Sequence, residues 1–370
     1  MPHAVAFRVD ASLQIGSGHV MRCLTLATAL REQGASCHFI CREHQGNLID
    51  QIRCMGFAAT ALAKGGLDLL PTAQDGESLP SHASWLGTSW QADARETQAA
   101  LQSLSPAWLV VDHYALDRRW ELALRPHCVR LMVIDDLADR SHECDLLLDQ
   151  NLGREDEDYI DLVPATCAIL AGARYALVRP EFAALRPYSS QRRERPQLRR
   201  LLITMGGVDQ PNATGQVLEA LRQCPLRLDC GITIVMGLHA PWLAQVQAQA
   251  ANFSRPCEVK VDIRDMAQLM ADSDLAIGAA GGTSWERCVL GLPTLMVVLA
   301  ENQQKIAAAL EEAHAAVRIH LSAPDTITKH LTLLMQHPKL LLRMSTSAAK
   351  VTDGCGLQSV IGALRRGEAS

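Results

Sequence analysis

Short apolar runs alternate with amphipathic stretches along the whole chain. "HAVAFRVDA" (3–11) reads as a strand and residues 18–33 as a helix ending at Gly34. "SCHFICRE" (36–43) reads as the next strand, followed by a helix near 46–55 that ends at Gly56. Residues 64–90 are rich in Gly, Pro and Ser and read as irregular. A helix is expected over 91–104, stopped by Pro106, then three more strands: "AWLVVDHY" (107–114), "VRLMVIDD" (129–136) and "CDLLLDQN" (144–151). Near-continuous apolar strands alternating with helices indicate a parallel sheet covered on both faces.

The pattern breaks at "LRPYSSQRRERPQLR" (185–199), where two prolines, two serines and a charge run read as a linker. It then restarts. "RLLITMGG", "CGITIVMG", "CEVKVDI", "DLAIGAAGG" and "PTLMVVLA" read as strands. Helices are expected after them at 212–223, 241–251, 264–271, 283–290 and 302–313. The expected organisation is α/β: a Rossmann-like domain over 1–185, a linker over 186–199 and a second Rossmann-like domain over 200–345. A C-terminal helix over 346–370 is expected to pack back on the first domain.

Composition narrows the function classes. A chain of 370 residues is long enough for two such domains. The net charge is −5, and no basic stripe offers a footprint for nucleic acid. The one dense basic run, "RRERPQLRR" (192–200), reads as a solvated linker. No apolar run reaches the 18 residues that a membrane span needs, so no stable membrane association is expected. The N-terminus runs as a strand into a glycine loop and lacks the features of a signal peptide. Twelve cysteines in apolar or helical contexts point to free thiols in a reducing cytoplasm. Cys37, Cys41 and His44 are close in sequence. Strand alternation puts Cys37, Phe39 and Cys41 on one face, a core pattern, so no metal site is expected there.

In doubly wound sheets ligands bind beyond the carboxyl ends of the strands, so the polar residues there are read together. The first is "GSGHVMR" (16–22). Gly16 and Gly18 precede a helix, whose exposed N–H groups attract anions. A dinucleotide fingerprint would want a third glycine where Met21 stands, and Arg42 precedes Glu43 where an acidic residue should end the second strand. A helix N-terminus disfavours a charged imidazole, which suits His19 to the role of general base. In the second half, "TMGGVD" offers Gly206 and Gly207. "AAGGTSWE" offers Gly281 and Gly282, with Thr283 and Ser284 opening a helix. Glu286 could close a capping box with Thr283, or take the hydroxyls of a ribose, and spacing alone leaves both open. Asp135 and Asp136 point to opposite faces of a strand, which argues against a shared metal and leaves Asp136 as a cap.

"RVDASLQIGSGHVMRCLTLATAL", "VVDHYALD", "IDDLADRSHECDLLLDQN", "MGGVD" and "AAGGTSWERCVLGLPTL" together resemble the UDP-sugar hydrolases of pseudaminic acid synthesis. The resemblance runs from about residue 5 to the last helix. The second half is also similar to the nucleotide-binding half of the UDP-GlcNAc-using glycosyltransferases of peptidoglycan synthesis. The resemblance implies a GT-B architecture, two doubly wound domains with the active site in the cleft between them. It further implies a diacetamido-trideoxy UDP-sugar and water as substrates.

By matched position His19 is the implied base and Tyr114 lies near the reacting sugar; Gly16, Gly18 and Arg22, beside His19, are expected to bind substrate. Gly281, Gly282, Thr283 and Ser284 hold the diphosphate, and Glu286 holds the ribose. Ile263 and Met266 lie where backbone reads uracil, and Asn302 with Gln303 meets the sugar. A single inverting displacement by water at the anomeric carbon is expected, because no carboxylate is placed as a glycosyl nucleophile. Asp10 would orient His19 or cap its loop. A monomer without metal or cofactor is expected. The rivals are a glycosyltransferase of the same fold, a dinucleotide-dependent oxidoreductase and a non-catalytic nucleotide-sugar sensor.

Overall fold

The computed structural model describes residues 4–65, 79–238 and 240–369. Most of the expected irregular region, 66–78, lies outside the described residues. The chain divides into two compact units. One ends at Leu177 and resumes at Leu357; the other is Val178–Gly356.

The first unit holds seven strands: β1 (Ala4–Val9), β2 (Ser36–Arg42), β3 (Ala58–Leu62), β4 (Trp108–Asp112), β5 (Arg130–Ile134), β6 (Leu146–Asp149) and β7 (Ala168–Ala171). They form one sheet in the order β3-β2-β1-β4-β5-β6-β7, and every pairing is parallel. Strand alternation sorts the side chains into two layers. On one face Phe7, Val9, Trp108, Val110, Met132, Ile134 and Leu148 pack with Val20, Leu24 and Ala27 of the helix Gly18–Glu32. On the other, Ala6, Leu109, Val111, Val133 and Leu147 pack with Leu101, Trp120 and Tyr159. Cys37 and Cys41 are buried in the first layer beside Phe39, whose ring stacks on Phe7 at 4.9 Å.

The second unit holds β8 (Arg200–Thr204), β9 (Gly231–Met236), β10 (Cys257–Val261), β11 (Leu275–Ala279), β12 (Thr294–Val297) and β13 (Ala316–Ile319). Their order is β10-β9-β8-β11-β12-β13, again all parallel. Strand order reverses between β1 and β4 in one sheet and between β8 and β11 in the other. These switch points are where doubly wound folds open a crevice for ligands.

Three expectations need correction. The supposed linker 186–199 is mostly helix, Pro180–Arg193. Pro180 suits a first helical position, and Pro187 and the charge run are tolerated because tertiary contacts pin the helix. Arg186 donates to the carbonyls of Val289 (2.8 Å), Ala349 (2.5 Å) and Thr352 (2.9 Å). Arg193 donates to those of Leu290, Ser273 and Met270. The unit boundary therefore falls before this helix, after Leu177. Second, residues 346–370 are not one helix. Lys339–Val351 stays with the second unit, and only Gly356–Ala369 joins the first, where Leu357, Val360, Ile361 and Leu364 enter the core. Third, β3, β7 and β13 and the helices Arg118–Leu124, Asp325–Gln336 and Lys339–Val351 were not anticipated. No helix among the described residues is long and apolar enough to cross a membrane.

Candidate functional site

At the first switch point the loop before the helix Gly18–Glu32 is closed on itself. Gly16 N donates to Ser12 O at 2.8 Å, and the Ser12 hydroxyl accepts from the backbone of Gln14 and Ile15. Gly16 has φ +81, a conformation L side chains rarely adopt. At Gly18 neither packing nor backbone demands glycine, since an added Cβ would meet nothing within 4 Å among the described residues. The bare backbone at the helix tip is thus open to approach from outside the chain.

His19, the second residue of that helix, is 6% exposed. Its Nδ1 stands 2.6 Å from Oδ1 of Asp112, the last residue of β4. A carboxylate accepts only, so Nδ1–H donates in this contact, and in a neutral imidazole Nε2 is then the nitrogen with the lone pair. Burial would push the Asp112 carboxyl up, but Arg22 and then His19 outweigh it and hold it well below the usual carboxylate range. Arg22 contacts Asp112 through Nε (2.6 Å) and Nη2 (2.7 Å), and Asp136 through Nη1 (2.7 Å). Asp136 also accepts from the Tyr114 hydroxyl (2.5 Å) and Asn151 Nδ2 (3.0 Å). The Tyr114 ring meets the His19 ring edge to face at 4.5 Å. Imidazole, guanidinium, phenol and two carboxylates thus hold one another in place.

This geometry revises several assignments. Asp10 does not orient His19. It lies on the other face of β1, bound to Arg8 at 2.6 and 2.9 Å and to the Arg42 backbone N–H at 2.7 Å, with His113 Nε2 3.3 Å away. Arg8 and Arg42 share Asp93, so Asp10 belongs to a buried ion network. Arg22 offers no open fork to a substrate anion, because Asp112 and Asp136 occupy it. Tyr114 donates its hydroxyl proton to Asp136, and burial pushes the phenol pKa up, so its contribution is the ring. The cap expected at Asp136 is supplied by Asp135, which accepts from the backbone N–H of Leu137 and Ala138. The sequence reading places Asp112 and Asp136 at strand ends but gives neither a part in holding His19 and Arg22.

The second unit presents its glycine loops at the carboxyl ends of β8 and β11. Gly206 has φ +90. A Cβ on Gly237 would stand 2.1 Å from the Gly207 carbonyl oxygen, so the end of β9 lies against this loop. Asp209 is committed to capping, accepting from the N–H of Ala213 and Thr214 at 2.8 and 2.9 Å. At β11, an added Cβ on Gly282 would meet nothing within 4 Å, and one on Gly281 only Gln303 Nε2 at 3.8 Å. Gln303 itself accepts from Leu299 N (2.9 Å) in the turn Glu301–Gln303, which also carries Asn302.

Ser284 is buried and accepts from Arg287 Nη2 at 2.9 Å, which also donates to Ala279 O at 2.7 Å. Arg287 Nη1 is buried without a hydrogen-bond partner among the described residues, and burial pulls this guanidinium pKa down to about 10. Gly278 makes its room, since a Cβ there would stand 2.2 Å from Nη1.

Glu286 does not close a capping box. The helix Thr283–Val289 has Gly282 as its N-cap, without a side-chain cap bond. The Glu286 carboxylate instead faces Arg179 Nη2 at 3.4 Å, and burial raises its pKa. A mostly buried carboxylate with one long ion pair retains capacity to accept donors. Ile263 and Met266 follow β10 at the same edge of the sheet. Both are half-buried, on either side of the turn into the helix Met266–Asp272.

Residues 200–355 match the family model of the glycosyltransferase family 28 C-terminal domain. The crystal structure of Acinetobacter baumannii MurG superposes over 99% of this chain and 100% of its own, with TM-score 0.68 at 17% identity. The protein has the GT-B fold. Among curated sequences, this GT-B chain is 27% identical over 82% of its length to the UDP-2,4-diacetamido-2,4,6-trideoxy-beta-L-altropyranose hydrolase of Campylobacter jejuni, of which the match covers 94%. An uncharacterised protein of Methanocaldococcus jannaschii is 24% identical over 81% of the chain, and the match spans 56% of that longer protein.

Proposed function

We propose that this GT-B protein hydrolyses a UDP-linked 2,4-diacetamido-2,4,6-trideoxy sugar to UDP and the free sugar, as in pseudaminic acid synthesis. The observation that carries the reading is the buried His19–Asp112 pair at a glycine-opened helix tip. Asp112 fixes the imidazole with Nε2 able to take a proton, which is what activation of water requires. Water, deprotonated by His19, attacks the anomeric carbon. The C–O bond to the diphosphate breaks and UDP departs, with inversion. The leaving charge is met by backbone N–H groups of Gly206, Gly207 and 281–283, and Glu286 accepts from the ribose hydroxyls. Ile263 and Met266 flank the uracil, and Asn302 and Gln303 the sugar. Asp112, Arg22, Asp136 and Tyr114 position the base.

The Campylobacter relative's name supports this chemistry. All twelve cysteines are free thiols, in keeping with a reducing cytoplasm. The match to a glycosyltransferase domain favours one rival, transfer of the sugar to an acceptor. Incubating the protein with a panel of UDP-sugars and no acceptor separates the two. Hydrolysis gives sustained UDP release from the diacetamido-trideoxy sugar. UDP release that requires an added acceptor would establish the transferase instead.

A further inference from the structure

Beside the His19–Tyr114 pair stands an aromatic group that this mechanism does not use. The short turn Ala83–Leu86 is anchored by its own apolar residues: Leu86 is 1% exposed and Ala83 9%. Trp85, between them, is only half-buried. Its indole stacks on the Tyr114 ring with centroids 5.7 Å apart and planes 27° from parallel. His82 lies 4.3 Å from Trp85 and 5.5 Å from Tyr114. Gly87, at φ +70, ends the turn, and a Cβ there would stand 2.9 Å from the His44 ring. The turn is therefore held without help from Trp85. The indole N–H makes no hydrogen bond among the described residues.

We propose that Trp85, with His82 and the Tyr114 ring, is the surface that reads the apolar edge of the sugar. The inference rests on the reading above and names what selects the substrate class. A 2,4-diacetamido-2,4,6-trideoxy sugar carries three methyl groups, one on C6 and one on each acetamido group. UDP-GlcNAc carries one, with hydroxyls at C4 and C6. Rings two deep beside the base supply large, stiff contact area for methyl groups and C–H faces. The indole N–H can donate to an acetamido carbonyl. A hydroxyl placed against the same rings loses water without gaining a partner. Trp85 acts on binding and choice of sugar and takes no part in proton transfer.

Calorimetry in a His19→Asn background, where substrate is not consumed, tests this. Titrations compare UDP, UDP-GlcNAc and the UDP-diacetamido-trideoxy sugar. Trp85→Ala is expected to weaken the diacetamido sugar about tenfold, leaving UDP unchanged and UDP-GlcNAc within about twofold. Trp85→Phe should restore most of the loss, with the melting temperature unaltered. Equal weakening of all three ligands, or no weakening of the diacetamido sugar, would overturn the proposal. Because the readout is binding, it stands even if the protein proves to be a transferase, whereas sustained hydrolysis with an unchanged Trp85→Ala affinity would refute this inference alone.

Discussion

His19 at the tip of the first helix and Asp112 at the end of β4 are 93 residues apart in sequence and 2.6 Å apart in space. The pair exists because β1 and β4 are neighbours, with Val9 in register with Asp112. In the proposed mechanism this contact, rather than the helix tip alone, makes the imidazole a usable base.

Asp112→Asn should therefore disable turnover in the protein that remains folded. An amide can donate to Nδ1 and so favours the wrong tautomer. A loss of about 10²–10⁴-fold in kcat with little change in KM is expected. Steady-state kinetics on the purified variant measure it, and near-normal kcat would remove Asp112 from the mechanism.

The same substitution has a pH signature in stability. The folded Asp112 carboxyl is held below its ordinary value, chiefly by Arg22 acting against burial. A lowered carboxylate contributes stability that is complete above its unfolded value of about 4 and is lost as the pH falls through the folded value. Wild type should exceed Asp112→Asn by about 3–5 kcal/mol at neutral pH, the usual cost of breaking a buried pair. The gap should hold down to about pH 5 and narrow below about pH 4. Denaturant unfolding across pH measures it. A gap that widens in acid would contradict the assignment.

Glu286→Ala should weaken UDP by about 1–3 kcal/mol, the cost of leaving ribose hydroxyls unpaired. Unchanged UDP affinity by calorimetry, in a variant that thermal unfolding shows to be folded, would contradict the ribose assignment.

Much of the architecture was legible in the sequence. Continuous apolar strands and glycine turns gave the two parallel sheets and placed both loop sets at the carboxyl ends. The choice of carboxylate for His19 was also encoded, through strand alternation. Val5, Phe7 and Val9 face the first helix, so Asp10, in step with Ala6 and Arg8, faces away from it. Trp108 and Val110 face the helix, so Asp112 does too, and Met132 and Ile134 likewise bring Asp136 to that side. What alternation could not show is strand order. That β4 sits beside β1 is set by the crossover, and only then does Asp112 reach His19. The helix Pro180–Arg193 was hidden for a different reason. Its local sequence, with Pro187 and a run of arginines, argues for a linker, and the carbonyls that hold Arg186 and Arg193 lie 77–166 residues away.

The central claim is that water activated by His19 attacks the anomeric carbon. Turnover of the UDP-diacetamido-trideoxy sugar in ¹⁸O-labelled water, read by mass spectrometry of both products, tests it most directly. One label is expected in the free sugar and none in UDP, with label incorporation almost abolished in His19→Asn. Label in the UDP phosphate would show attack at phosphorus and contradict the mechanism, and a His19→Asn protein that labels the sugar at the wild-type rate would contradict the base.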